Sequence, residues 1–429
     1  MLDAFLKLIP HRLAAPDGAP CSPAFSRQRK RPLPTLFVFL LSLTASGKSQ
    51  GVDGKSGAFF RQARRNGLWP EAEAVHRSAV TKARAKLPWT AFEQFHQAVV
   101  RLAYEVWPHT EEDTWHGLSV FAIDGSKYRL PGSQALREAF DPASGLDQPG
   151  KGHYPECLVS TVYDVFRRLP IARSVQPSVK ANEREELKAL LPQIPPGGVV
   201  LLDRGYPSYD LIRFLDQHYP GYWLFRCPAR STFPAVEAFV HSGHTEAMVM
   251  LDSAATPRLY VRAIRLVSPD GTVSVVLTNL MDVYGFSADM LIALSFQRWA
   301  VETHYRDEKT SMAIETFHRQ TENEIRQELF AILIMAVITR LLVRLATDPE
   351  HPSRAEPQFK HALMSLAQEA AVLTSKDPVL ALSILSELID EMARVLYDRP
   401  KIPRPSQPRV CKQPINKWQV DRANRMVRT

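Results

Sequence analysis

The sequence predicts an α/β core carrying a β-rich insertion, with helical regions at both ends. Three observations predict it. Two short apolar runs bounded by glycine, Leu118-Ser119-Val120-Phe121-Ala122-Ile123 and Val199-Val200-Leu201-Leu202, each end in aspartate and read as buried strands. Segments 222–227, 246–251, 258–267 and 272–278 alternate as strands do. The first 115 residues and those after about 350 carry helical spacing of their apolar side chains.

Taken in order, residues 1–115 read as helical. Phe92, Phe95, Val99 and Leu102 fall on one face, and Lys82 and Lys86 stand four apart on a basic segment. The core begins near 116, with strands at 118–124, 157–166, 169–176 and 198–203 and helices at 182–192 and 207–217. Residues 116–220 are its first part and 221–285 the β-rich insertion. Residues 286–350 return to the core as helix, starting near Ser287-Ala288-Asp289. His351-Pro352-Ser353 marks the boundary of a helical region, 351–429, which ends in a proline-rich tail with Arg399, Lys401, Arg404, Arg409 and Lys412.

The chain of 429 residues has a formal net charge of +8, which favours a polyanionic partner. Cys21, Cys157, Cys227 and Cys411 are scattered, which argues against a zinc site or a disulfide framework and points to a reducing cytoplasm. The apolar run Leu36–Leu41 is too short to span a bilayer and follows Arg27-Gln28-Arg29-Lys30-Arg31. Residues 329–346 are interrupted by Arg340 and Arg344 and read as a core helix. No membrane partner is expected.

The chemistry concentrates in three places. Asp124-Gly125 and Asp203-Arg204-Gly205-Tyr206 put an acid just past a buried strand, at a sheet edge where a ligand can reach it. On the later helix, Arg298, Glu302, Tyr305 and Lys309 lie within roughly 60° of arc. Asp307 and Glu308 point about 140° and 120° away from Glu302, which leaves Glu302 as the better metal ligand. The same stripe also reads as an ordinary solvated face with i,i+4 ion pairs. Asp124, Asp203 and Glu302 together offer hard oxygen ligands suited to two Mg²⁺ (or Mn²⁺) ions, the arrangement used in phosphodiester displacement. Arg298 and Lys309 would hold phosphates. Arg204 would do the same or pair with a carboxylate. Tyr222, Trp223 and Phe225 are rings that could stack an extruded base or simply fill strand core.

These motifs resemble the DDE transposases of bacterial insertion sequences, in the insertion-sequence-four-like group with a Y-x2-R-x3-E-x6-K signature. The matching pieces are Asp124-Gly125, Asp203-Arg204-Gly205-Tyr206, Leu277-Thr278-Asn279-Leu280, Arg298/Glu302/Lys309 and Arg326-Gln327-Glu328-Leu329. The signature tyrosine is replaced by Ser295, and Tyr305 is a candidate surrogate at the DNA phosphate. The resemblance implies an RNase H-like mixed sheet with a β insertion and an end-recognition region at 1–115. It further implies cleavage at the element's ends, joining of the 3′-OH to target DNA, and a homodimer in the synaptic complex with double-stranded terminal inverted repeats. A bacterial cytoplasmic, nucleoid-associated protein is expected. A nuclease or resolvase of the same fold without strand transfer, and a non-catalytic DNA-binding descendant, are the alternatives.

Overall fold

The computed structural model describes residues 33–45, 51–71, 73–107, 110–141, 154–177, 181–253, 256–268, 271–311, 315–347 and 355–398. The basic run 27–31 and the tail from Arg399 lie outside them, as do Cys21 and Cys411.

Among the described residues four α-helices precede the sheet: α1 (Leu33–Ala45), α2 (Val52–Arg65), α3 (Arg77–Arg84) and α4 (Thr90–Val106). Strand β1 (Val120–Arg129) and helix α5 (Gln134–Phe140) follow. The strands β2 (Glu156–Asp164) and β3 (Leu169–Pro177) complete an antiparallel meander with β1. After α6 (Glu183–Leu190), β4 (Val199–Leu202) enters parallel to β1. After α7 (Tyr209–His218), β5 (Tyr222–Pro228) enters parallel to β4. All four residues of β4 are buried, as an interior parallel strand requires. The order β3-β2-β1-β4-β5 is the RNase H-like arrangement that the resemblance implied.

Helix α8 (Pro234–Ser242) leads into β6 (Glu246–Ser253), β7 (Thr256–Val267) and β8 (Val273–Thr278). These do not form a sheet of their own. β8 pairs antiparallel with β5, so a single sheet of eight strands runs β3-β2-β1-β4-β5-β8-β7-β6. One boundary is corrected: segment 222–228, assigned from sequence to the insertion, is the fifth strand of the core. Asn279 fixes this junction by accepting from Trp223 N at 2.9 Å and donating to Gly221 O at 3.1 Å. Trp223 and Phe225 are consequently fully buried and unavailable to stack a base. Tyr222 is half-buried.

The expected single helix through Glu302 is instead two, α9 (Ala288–Phe296) and α10 (Trp299–Arg306), followed by a π-helical turn at Asp307–Ser311. The break comes where Ala300 N and Val301 N reach back three residues, to Gln297 O and Arg298 O, and tighten the backbone.

Helix α11 (Glu322–Ala346) contains a window long and apolar enough to cross a membrane, yet 72% of that window is buried inside the protein. Around it pack α1, α4, α12 (Phe359–Glu369) and α13 (Pro378–Arg394). Phe37 stacks on Phe92 at 4.2 Å, and Ser42 Oγ donates to Ala367 O at 2.7 Å. Buried Arg84 bonds Gln327 at 2.7 Å and pairs with Glu328 at 2.9 Å, tying α3 to α11. The regions 1–115 and 351–429, expected as separate end pieces, share one core around α11 across their described residues.

Candidate active site

Asp124 lies inside β1, in register with Thr161 of β2, and Asp203 follows β4 directly. Since β1 and β4 are parallel neighbours, both acids emerge at the same end of the sheet. Glu302 arrives from α10, which packs on β1 and β2. All three acids face one side chain. Arg298, 8% exposed, reaches Glu302 Oε1 at 2.7 Å and Asp203 Oδ2 at 3.6 Å through the same Nη2, and its Nη1 lies 3.9 Å from Asp124 Oδ2. The acids themselves keep a solvent-facing side, at 21%, 38% and 39% exposure for Asp124, Asp203 and Glu302. Arg298 Nη1 is buried and makes no hydrogen bond.

The donor set suits a hard divalent ion. It is all oxygen, it is open on one side, and Asp124 behaves as an acid that lacks enough positive charge nearby. Burial pushes its carboxyl up to about 7, against the pull of Arg298. A divalent cation in that position would draw it back down. Among the described residues no three such side chains are drawn together at coordination distance; the carboxylates are spread around a guanidinium instead. Arg298 therefore occupies the positive centre of the site, and ion binding would require it to swing aside.

The remaining candidates divide. Lys309 Nζ donates to Ser126 Oγ at 2.8 Å and Lys127 O at 2.6 Å, and sits 4.6 Å from the centre of the Tyr128 ring. That anchors the π turn to β1 two residues beyond Asp124. Arg204 is exposed, and among the described residues no carboxylate lies within ion-pair distance of it, so the phosphate-facing alternative is the one left open. Ser295 is bonded to its own helix through Ile292 O at 2.6 Å.

Tyr305 is a correction. It lies on the stripe, but the stripe faces the sheet at that depth. The ring is 4% exposed, and its hydroxyl, with one proton to donate, lies 2.7 Å from Asp124 O and 3.0 Å from Val159 O. A hydroxyl so occupied does not reach a DNA phosphate. It supports the strand beneath Asp124, and loss of one such bond costs about 0.5–1.5 kcal/mol. Tyr305→Phe should therefore lower the unfolding free energy by about 0.5–1.5 kcal/mol, read from urea denaturation, since the one proton offered to these carbonyls is lost.

Glu308 was set aside as a ligand and is buried away from the site. It accepts from Tyr128 OH, pairs with Arg173 at 2.7 Å and lies 3.1 Å from His304. Sequence reasoning missed Glu183, half-buried at the start of α6, whose carboxylate lies over Gly125. The run Asn182-Glu183-Arg184-Glu185-Glu186 carries several acids, and nothing local distinguishes the one that packs over β1.

The transposase DDE domain family model matches residues 115–338. Among curated proteins, the chain is 23% identical over 278 residues to the transposase InsG for insertion sequence element IS4 of Escherichia coli K12, covering 61% of this chain and 60% of InsG. InsZ, also named as a transposase of that strain, is 29% identical over 159 residues, covering 36% of this chain and 52% of InsZ. The chain thus spans about half to three fifths of the length of these relatives. A solved cryo-EM structure of the piggyBac transposase synaptic complex with hairpin DNA aligns over 97% of this chain and 86% of that one, with a TM-score of 0.45 and 11% identity.

Proposed function

Because the chain belongs to the transposase DDE domain family, we propose that it is a DNA transposase that cuts the ends of its insertion sequence and joins the freed 3′-OH to target DNA. The observation that carries this reading is the convergence of Asp124, Asp203 and Glu302 on Arg298 at the exposed end of two parallel strands. The three carboxylates would hold a divalent ion pair, Mg²⁺ or Mn²⁺. When bound, such a pair supplies a charged oxygen nucleophile and steadies the leaving oxygen of an in-line displacement.

The chain's own residues do the positioning. Arg298, once released from the acids, leaves a buried guanidinium beside the scissile phosphate, where it can offer a bidentate pair of donors. Exposed Arg204 extends positive charge along the strand path next to Asp203. Lys309 holds the edge of β1 in register with α10 and keeps a half-buried ammonium within the site. The partner is double-stranded DNA, as terminal inverted repeats and target, engaged by a homodimer in the synaptic complex. The setting is the bacterial cytoplasm, at the nucleoid.

The test is incubation of the protein with DNA bearing the element's candidate ends and Mg²⁺. Nicked ends followed by joined products are expected. Nicks without joining would leave a nuclease or resolvase, and no nicks would leave a DNA-binding descendant.

The N-terminal region would supply end recognition, with Lys82 and Lys86 exposed on the segment around α3. Deleting the region is a poor test, because α1 and α4 fill the core around α11. The double substitution Lys82→Ala/Lys86→Ala is expected to weaken end binding and to lower the slope of log K against log salt by about 2, close to 0.9 per lost phosphate contact. A gel-shift titration across salt concentrations reads it.

A further inference from the structure

We propose that Arg226 of β5 is a phosphate-binding residue of the active site, set to hold a backbone phosphate of the DNA beside the scissile one. The proposal rests on the transposase reading of the three acids and adds a contact to it.

Three observations carry it. The first is register. Ala122 of β1 pairs with Leu201 of β4, and Leu201 pairs with Leu224 of β5, all in parallel. Partners across a sheet point to the same face, and so do residues two apart along a strand. Two residues further along, these positions are Asp124, Asp203 and Arg226. Arg226 therefore leaves the sheet on the face where Asp124 and Asp203 meet Arg298, one strand beyond Asp203.

The second is unused donors. Arg226 is half-buried, and its Nε is buried without a hydrogen-bond partner. Among the described residues no carboxylate lies within ion-pair distance of it. Two other buried arginines of this sheet are tied down. Arg173 donates to Glu308, Thr161 and Leu329 O. Arg262 donates to Glu246, Leu280 O and Phe286 O. An arginine that serves the fold finds its acceptors within the fold. Arg226 has the exposed ring of Phe296, 6.0 Å from its Cζ. A guanidinium with free donors and an aromatic ring behind it suits an anion with several oxygens, which a phosphodiester supplies.

The third is the distribution of charge. Burial pushes the Arg226 guanidinium down and Arg204 repels it, while Asp203 attracts it and Arg298 repels it again. Asp203 is already shared with Arg298, so Arg204 and Arg226 have no acid of their own. Arg298 must be released from the acids before it can meet a phosphate. Arg226 needs no such release and can hold DNA before a divalent ion arrives.

The experiment binds the full-length protein, in EDTA, to a duplex carrying the element's candidate end and flanking DNA. Fluorescence anisotropy follows binding across salt concentrations. Arg226→Gln is expected to raise Kd by about tenfold and to lower the slope of log K against log salt by about 0.9. Arg226→Lys should keep most of that slope, because it keeps the charge. Single methylphosphonates, each removing one phosphate charge, are then placed in turn around the cut. At one position the replacement should weaken the parent about tenfold and Arg226→Gln hardly at all, since one contact cannot be lost twice. If every methylphosphonate costs Arg226→Gln as much as it costs the parent, the proposal is overturned, and cleavage by the parent with Mg²⁺ leaves the transposase reading standing. A lower melting temperature in Arg226→Gln with parent-like affinity would make the residue a support of the sheet only, which also overturns it. If the parent neither binds nor cuts the duplex, the transposase reading fails and takes the proposal with it.

Discussion

Asp124→Asn, Asp203→Asn and Glu302→Gln are each expected to reduce cleavage of element-end DNA by about a thousandfold or more, equivalent to about 4 kcal/mol of barrier. Binding to the same DNA should survive within a few-fold. The separation follows from position. The three acids surround Arg298 at the mouth of the sheet, whereas the exposed lysines around α3 lie elsewhere on the chain. Each substitution keeps side-chain volume, so folding should change little. Single-turnover cleavage and a gel shift on the same preparations check both halves. Loss of binding in parallel with loss of cleavage would mean that the acids organise the DNA surface rather than the chemistry.

The largest effect on stability is expected one layer deeper. Glu308 and Arg173 are both fully buried and pair at 2.7 Å, with His304 and Tyr128 completing the cluster. Removing one member of a buried pair strands the other charge and typically costs about 3–5 kcal/mol. Arg173→Met should do so, read from urea denaturation at neutral pH. The cluster also sets an acid limit. Burial alone would raise the Glu308 carboxyl, but Arg173 and then His304 outweigh it and bring it down to about 2, below the ordinary value of 4.5. A carboxyl depressed by folding contributes stability that is complete above its unfolded value and is lost as pH falls through the folded one. Stability should therefore decline between about pH 4.5 and 2, and Arg173→Met should flatten that part of the profile.

Much of the site was legible because its signals are local. A strand of four to eight apolar residues ending in aspartate needs no knowledge of the rest of the chain, and the four-residue spacing of Arg298 and Glu302 sets them on one side of a turn. The family match over residues 115–338 bears out the resemblance drawn from these pieces. What escaped were properties of depth and approach. A helical wheel gives the direction of Tyr305 but not that the sheet comes close enough to occupy its hydroxyl. Alternation marked 222–227 as a strand but could not say which strand it pairs with, and the parallel pairing with β4 buries Trp223 and Phe225. The regions expected at the two ends met around α11, because its long apolar middle needs cover on more than one side.

The π-helical turn at Asp307–Ser311 has a consequence for how the segment tolerates change. It lets the backbone widen after Glu302, so that Glu308 enters the core while Lys309 ties back to Ser126 and Lys127. Deleting a single residue between Glu302 and Lys309 would rotate everything downstream by about 100°, taking the ammonium off β1 and Glu308 out of its cluster together. The six-residue gap is in this sense a ruler cut to fit two anchor points on the sheet. Substitutions within it that respect burial leave the ruler intact, and a change of length does not.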